Sequence, residues 1–467
     1  MPQRASSRNR SHIVLIPGFA GFDALGQLEY YAGVTFAFRD WLKQHPGTPA
    51  VLHYFDNFPT AAVATRAKRL ERYLAKRIAR GTFLPGDRLA LVGHSTGGLD
   101  IRRLVWTLGS HPRRPIRVDG GEGSAIPVSA GDILELVHRM VFLSVPQWGT
   151  NIADWVRAHA IGRKAVVAAL RAMVEGSQFP VLDKSESWLA EGASRLMGLD
   201  LLRAVQDALA EADARTCQGN PICTADALEA AAEIELWLRL IDWDFSAIDD
   251  LTAAPPPDDE ASPAHFTSST RDKEIHLWNS QRPQIRTRSY ATLGRRPFVF
   301  AAGKPAPVWS LLEPWTYPSS TSADPAAAAT DLAYRTCYRA CAGGPFDVSS
   351  AVLLPKFLNA AQQKQIDLLT NGGRIELWDN DGIVNTGSMF WPNGVHTVLV
   401  PGDHLDIVGH YKPVKVASVP DGGHAATSGR ASRGRQHHAY DLLASDSGFD
   451  DESFEQVWRD VFDFAFS

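Results

Sequence analysis

Five residues at positions 93–97, Gly-His-Ser-Thr-Gly, limit the possible folds of this chain more than any other segment, and the pattern GxSxG occurs once. An apolar run at residues 89–92 precedes it and an amphipathic pattern follows, which predicts strand, sharp turn and helix without a spacer. The glycines let strand and helix pass close together, with Ser95 in a strained conformation at the apex. Its hydroxyl then stands above the sheet edge beside the N–H of Thr96, so we interpret Ser95 as a nucleophile.

The first 145 residues alternate between short β-rich runs and amphipathic helical patterns. This alternation predicts a parallel, doubly wound sheet with helices on both faces. The β-rich run at residues 286–293 continues the core, and two later strands and a closing helix complete it. The predicted strands are 13–16, 50–54, 89–92, 140–145, 286–293, 374–378 and 395–400, and the predicted helices are 28–44, 61–79, 98–108 and 454–462.

The pattern changes between the two parts of this core. Over residues 151–240, Ala, Leu and Trp recur at helical spacing and no strand pattern is present. A proline- and acid-rich stretch at residues 255–260 is typical of a linker. We therefore predict a core of residues 1–150 and 286–467, with a mainly helical cap, or lid, inserted at residues 151–285.

The composition is that of an ordinary globular protein and argues against some partners. With 45% hydrophobic residues, 21% charged residues and a net charge of −5, nothing favours nucleic acid or an anionic membrane. The basic cluster at residues 66–69 lies in a helical pattern and is expected on the solvated surface. No stretch approaches the roughly 20 consecutive apolar residues of a transmembrane helix.

The N-terminus and the cysteines bear on the compartment. The basic start of the chain leads straight into the first predicted strand, without the apolar segment and cleavage site of a signal peptide. This favours a cytoplasmic protein, or a secreted one if a signal peptide has already been removed. Cys217 with Cys223 and Cys337 with Cys341 suit either two local disulfides or four thiols.

A serine hydroxyl is a weak nucleophile at neutral pH, so it needs a base and a third group that orients the base. His404 follows the predicted strand 395–400 on a loop, which is where such a base belongs. His94 is adjacent to Ser95, but the sharp turn points its side chain away from the hydroxyl. His396 lies within the predicted strand and is expected to pack.

The acid should lie between the serine and the histidine in the chain, because that is the order found with this kind of serine turn. The predicted strand 374–378 is followed by two aspartates, Asp379 and Asp381. Asp381, directly before Gly382, is the first choice and Asp379 the reserve. An ordinary aspartate–glycine turn is the alternative interpretation.

The second half of an oxyanion hole should follow the first strand. Gly18 there allows a close approach of the backbone to a substrate, and the N–H of Phe19 can then point inward beside that of Thr96. The Phe19 side chain is expected to line an acyl pocket. A plain turn between strand and helix remains an alternative for this segment.

Four segments together resemble the bacterial lipases, particularly their thermoalkalophilic and staphylococcal branch. They are NDGIVNTGSM at residues 380–389, DHLDIVG at 403–409, LSVPQWGT at 143–150 and YYAGV at 30–34. The resemblance implies the α/β-hydrolase fold with an inserted cap. It also implies a triad of Ser95, Asp381 and His404, with the N–H groups of Phe19 and Thr96 as the oxyanion hole.

That branch also carries structural zinc and calcium, as well as signal peptides. No histidine-rich insertion that would match its zinc site lies between Tyr54 and Leu89. Asp406 matches one calcium ligand, but Tyr411 and Lys412 stand where another carboxylate and a proline would fall. We therefore expect no cofactor, with a structural calcium or zinc ion left open.

The sequence thus predicts a serine hydrolase of carboxylic esters, of the lipase or carboxylesterase type, that works through an acyl-enzyme. A cap rich in Trp and Leu favours a bulky hydrophobic ester, lipid or polyester, and contact with a lipid or polymer surface. An acyltransferase that uses an alcohol or amine is the alternative. A non-catalytic binding protein on a hydrolase scaffold is the third candidate.

Overall fold

A parallel sheet of seven strands lies at the centre of the protein, as described by a computed structural model. The strands are β1 (Ser11–Ile16), β2 (Ala50–Tyr54), β3 (Arg88–His94), β4 (Val137–Leu143), β5 (Arg286–Leu293), β6 (Lys356–Phe357) and β7 (Thr397–Pro401). Their order is β6-β7-β5-β4-β3-β1-β2, and every neighbouring pair is parallel. The structure describes residues 9–21, 24–25, 28–118, 127–158, 236–237, 239–241, 243–253, 285–297, 334–335, 337–342, 356–370, 375–392, 394–412, 441, 443 and 445–467.

The helices of the described residues connect and cover these strands. Three of them begin with a side-chain cap: the Ser129 hydroxyl accepts from the N–H of Asp132, the Asn359 amide oxygen from that of Gln362, and the Asp450 carboxylate from that of Ser453. The helices are α1 (Val34–Gln44), α2 (Val63–Ala79), α3 (Thr96–Ser110), α4 (Ala130–Leu136), α5 (Asn151–Ala158), α6 (Ala247–Asp250), α7 (Ala360–Leu369) and α8 (Asp451–Phe466).

Successive residues of each strand bury their side chains on opposite faces of the sheet. On β1, Ile13 and Leu15 pack into one apolar cluster, whereas Val14 and Ile16 pack into another. Helices α1 and α8 supply the first cluster, and α2, α3 and α4 supply the second. The predicted doubly wound α/β sheet, covered by helices on both faces, is confirmed.

The carboxyl ends of the parallel strands bring distant parts of the chain to one edge. β3 pairs with β1 on one side and with β4 on the other, and β7 pairs with β5. The segments that leave β1, β3 and β7 therefore start from the same edge of the sheet. Gly18, Ser95 and His404 lie on these three segments.

One predicted strand is wrong. Residues 375–378 form a turn instead, in which the N–H of Asp379 donates to the carbonyl of Glu376 at 3.0 Å. The sheet position next to β7 is taken by the two-residue strand β6, and α7 was not predicted. His396 was expected to pack inside a strand, but it lies exposed in a 3₁₀ turn that precedes β7.

Most of the predicted cap, residues 159–235 and 254–284, lies outside the described residues. The described segment 243–253 of the cap packs on the core: the N–H of Ala247 donates to the carbonyl of Thr60, and the carbonyl of Leu251 accepts from the N–H of Thr150. Cys337 and Cys341 are free thiols, so the disulfide alternative for this pair is wrong. None of the described helices is both long and apolar enough to cross a membrane.

Candidate active site

Ser95 occupies the apex of a tight turn between β3 and α3, with φ 53° and ψ −131°. A positive φ is strained for a residue with a side chain, and such strain concentrates at functional sites. The flanking glycines are required by space, because a Cβ on Gly97 would lie 2.4 Å from the carbonyl oxygen of Ile16. One on Gly98 would lie 2.2 Å from Cγ2 of Val145. The predicted strand–turn–helix around Ser95 is therefore present.

The segment after β1 lies directly against this turn. A Cβ on Gly18 would stand 2.5 Å from Cβ of Ser95, so only glycine allows the contact. Among the described residues, no hydrogen bond engages the N–H of Phe19 or that of Thr96, the first residue of α3. Both groups are thus available to an anion formed at Ser95.

Arg66 fixes the orientation of the Gly18 segment. Its guanidinium donates to the carbonyl oxygens of Pro17 at 2.8 Å and Gly18 at 3.1 Å. In a trans peptide the C=O and the next N–H point in opposite directions, so the N–H of Phe19 points away from Arg66. The expectation that this arginine lies on the solvated surface is wrong, because its side chain is fully buried.

Asp381 and His404 are in direct contact. The Nδ1 atom of His404 lies 2.8 Å from Oδ2 of Asp381, and both side chains are buried. The same carboxylate accepts from the N–H groups of Ile383 and Val384 and from the hydroxyl of Thr292 at 2.6 Å. Thr292, at the end of β5, is a site residue that no sequence pattern indicated.

The reserve acid, Asp379, has a different partner. Arg296 donates to both of its carboxylate oxygens, each at 2.7 Å, and Tyr338 donates to one of them. Its carboxylate is thereby committed to a buried ion pair and to the turn at Glu376. Of the two aspartates predicted from the sequence, only Asp381 contacts His404.

The protein has the α/β-hydrolase fold. Structures similar to it include lipase 1 of Pelosinus fermentans, with 17% identity and a TM-score of 0.40 over 86% of this chain and 94% of that one. They also include the Staphylococcus hyicus lipase, with 15% identity and a TM-score of 0.37 over 96% of both chains.

A metagenomic carboxyl esterase is similar as well, with 13% identity and a TM-score of 0.32 over 99% of this chain and 80% of that one. No protein-family model matches the sequence, and no curated protein matches it.

The residue before Ser95 contacts His404. The ring of His94, the neighbour of Ser95, lies with its centroid 4.7 Å from that of His404. Among the described residues, no hydrogen bond joins the Ser95 hydroxyl to His404, and none engages Nε2 of His404. In α/β-hydrolases without substrate such bonds are often long, and they tighten when substrate binds.

Three carboxyl groups beside His404 form a candidate metal centre. Oxygen atoms of Asp403, Asp406 and Asp441 lie within 4.8 Å of one another, the one such cluster among the described residues. Burial raises the pKa of Asp403 and of Asp406 well above the usual range, and it raises the pKa of Asp441 to about 6. Oδ2 of Asp403 is buried, with no hydrogen-bond partner in the described part of the chain.

An oxygen-only cluster of this kind fits a hard divalent cation such as calcium, and it does not fit zinc, which prefers nitrogen and sulfur ligands. Asp441 was not predicted from the sequence, because it lies in a polar stretch 37 residues after His404. Asp406, the residue that the resemblance matches to a calcium ligand, is one of the three members of this cluster.

Proposed function

We propose that the protein is a serine hydrolase of carboxylic esters that acts through Ser95, His404 and Asp381. The observation that carries this proposal is the 2.8 Å contact of Asp381 with His404 at the sheet edge where Ser95 heads α3. A nucleophile turn alone, or an aspartate–histidine pair alone, would have structural explanations. Their convergence in the order serine, aspartate, histidine favours acyl transfer.

Asp381 orients the base. Its carboxylate can only accept, so Nδ1 of His404 carries the proton and Nε2 is left with a lone pair. Nε2 takes the proton of the Ser95 hydroxyl while the serine oxygen attacks the ester carbonyl. The carbonyl oxygen becomes an anion, to which the N–H groups of Phe19 and Thr96 donate.

The tetrahedral adduct then breaks its bond to the alcohol oxygen, and His404 gives that oxygen the proton it had taken. The products of this half are the free alcohol and an acyl-Ser95 ester. Water repeats the sequence: His404 accepts a proton from it, its oxygen adds to the acyl carbon, and the serine oxygen leaves with the proton. Over both halves, ester and water become acid and alcohol, and the enzyme returns to its starting state.

The surroundings of the Phe19 segment support a bulky hydrophobic ester as substrate. The Phe19 ring packs edge-on against Phe245, with centroids 5.6 Å apart. The indole of Trp237 donates to the carbonyl of Ala20, and Trp243 nearby in the chain is 64% exposed. An apolar surface thus borders the oxyanion segment, as an acyl chain or a lipid or polymer surface would require.

The Asp403 cluster supports a structural calcium ion in this proposal. Asp403, Asp406 and Asp441 would hold it. When bound, the cation supplies positive charge that lets three buried carboxylates remain ionised, and it would fix the loop that carries His404. No step of the acyl transfer passes through it.

The test replaces the nucleophile and a matched serine. Ser95→Ala should abolish turnover of p-nitrophenyl esters with the same melting temperature, since the small side chain only loses its hydroxyl. Ser110→Ala, at the exposed end of α3, should retain full activity. Full turnover by Ser95→Ala would refute the proposal. An ester series of increasing chain length, soluble and emulsified, separates lipase from esterase, and an added alcohol reveals acyl transfer to that acceptor.

A further inference from the structure

A chain of hydrogen bonds runs through the interior behind Ser95. The N–H of Gly18 donates to the phenol oxygen of Tyr30 at 2.8 Å, and that oxygen lies 2.6 Å from Nδ1 of His94. On the other side of the ring, Nε2 of His94 lies 2.8 Å from the carbonyl oxygen of His404. Tyr30 and His94 are both buried. Three loops that are far apart in sequence are joined by these two side chains.

The position of each proton in this chain of hydrogen bonds follows from its donors and acceptors. A carbonyl oxygen only accepts, so Nε2 of His94 carries a proton and donates to His404. Burial lowers the pKa of His94 well below its usual range, which keeps the ring neutral and leaves Nδ1 as an acceptor. The Tyr30 hydroxyl therefore donates to His94 and accepts from Gly18. Each hydrogen bond thus has one possible donor and one possible acceptor, and the protons have a single arrangement.

We propose that His94 is a positioning residue, locked by Tyr30 in its Nε2–H tautomer, that sets the His404 loop and the oxyanion segment at their working distances from Ser95. The inference rests on the proposed function and adds a role that the triad does not contain. His94 is covalently next to Ser95, its ring holds the backbone of the base, and its partner Tyr30 holds the backbone next to Phe19. The His94 side chain thus links Ser95, the His404 loop and the oxyanion segment.

His94 is not a second base in this arrangement. Both of its ring nitrogens are engaged, Nδ1 by Tyr30 and Nε2 by His404. The prediction that the sharp turn directs this ring away from the Ser95 hydroxyl agrees with these contacts. Its effect on the reaction therefore passes through the positions of other groups, and an error of about 1 Å in such positions can cost about 100-fold in rate.

The test compares three single variants and one double variant. His94→Leu removes both bonds and should lower kcat about 10- to 100-fold on a short p-nitrophenyl ester while KM changes little, because the loss falls on the transition state. His94→Gln keeps an N–H that can donate to the His404 carbonyl and should recover much of that loss. Tyr30→Phe should act in the same direction as His94→Leu, and the double variant should lose less than the product of the two single losses, because the Tyr30–His94 bond is counted in both.

The matched control is Tyr54→Phe, which removes a tyrosine hydroxyl bond of the same 2.6 Å length, to Thr35, away from the site. It should leave kcat unchanged. If Tyr30→Phe and His94→Leu turn over at the wild-type kcat while Ser95→Ala is inactive, the inference fails and the proposed function stands. If His94→Leu does not fold, an unchanged kcat in Tyr30→Phe overturns the inference. Independent, multiplicative losses in the double variant would also overturn it.

Discussion

Arg66 and Asp100 form an ion pair in the interior, with 2.9 Å between guanidinium and carboxylate and neither side chain exposed. Arg66 also donates through Nη2 to the carbonyls of Pro17 and Gly18, and through Nη1 to those of Phe58 and Pro59. Asn57 donates to the carboxylate of Asp100 from another side. The pair is therefore a support of the oxyanion segment, built between α2 and α3.

Replacing Asp100 by Asn should destabilise the protein strongly, because it leaves the charge of Arg66 buried without its partner. Loss of one member of such a pair costs about 3–5 kcal/mol. The urea midpoint should fall accordingly. Asp56→Asn, which loses an exposed ion pair with Arg69, should shift it far less. Equal shifts of the urea midpoint in the two variants would show that the Arg66–Asp100 pair does not stabilise the protein more than an exposed pair does.

Asp381→Asn and Asp379→Asn should have opposite signatures. The first should lower kcat by a factor of about 10⁴ on p-nitrophenyl esters, since an amide no longer fixes the tautomer of His404. The second should mainly lower the melting temperature, because Arg296 loses its buried partner while His404 keeps Asp381. A mild kinetic loss for Asp381→Asn would move the role of the acid elsewhere.

His53→Gln should flatten the loss of stability in acid. Burial lowers the pKa of His53 to about 4, so between this value and the ordinary value near 6.5 the unfolded chain binds more protons than the folded one. The stability contribution of neutral His53 is complete above about pH 6.5 and is lost as the pH falls through about 4.

The effect is measured as the difference between variant and wild type, because burial raises the pKa of Asp100 and of Asp250 to about 6, which acts in the opposite direction. Melting temperatures from pH 7 to pH 4 are the readout. His111→Gln, at an exposed histidine, serves as the control and should keep the wild-type slope. An unchanged slope in His53→Gln would contradict the assignment.

Calcium should raise the melting temperature of the wild-type protein, and chelation with EDTA should lower it, because a ligand that binds only the folded state stabilises it. Asp441→Asn should abolish the response by removing one of the three carboxylates. Asp446→Asn, at an exposed aspartate nearby, should keep it. A calcium response that survives in Asp441→Asn would exclude the cluster as the site.

The parts of the site that follow from local rules were predictable from the sequence. The glycines around Ser95 form a short motif directly after an apolar run, so their spacing indicates the turn, although the atoms that require Gly97 and Gly98 belong to Ile16 and Val145. His404 follows directly on a strand, β7, whose apolar run is continuous and fully buried. In both cases the sequence signal is local.

Arg66 and the segment 375–378 could not be predicted in this way. An arginine in a helical pattern is normally solvated, and its burial depends on Asp100 and on carbonyls of a distant loop. Residues 375–378 alternate like a strand, but the pair of Asp379 with Arg296 holds this part of the chain in a turn. Tertiary partners outweighed local preference at both places.

The last described helix, α8, has a bearing on how the chain is made. Phe454, Trp458 and Phe462 cover the sheet face that includes Ile13 and Leu15. During synthesis α1, which also packs on this face, follows β1 closely, whereas α8 emerges more than four hundred residues later. The part of the face that α8 covers therefore stays exposed in early folding intermediates. We therefore expect a nascent chain in which α8 has not yet packed to expose this apolar surface to other molecules.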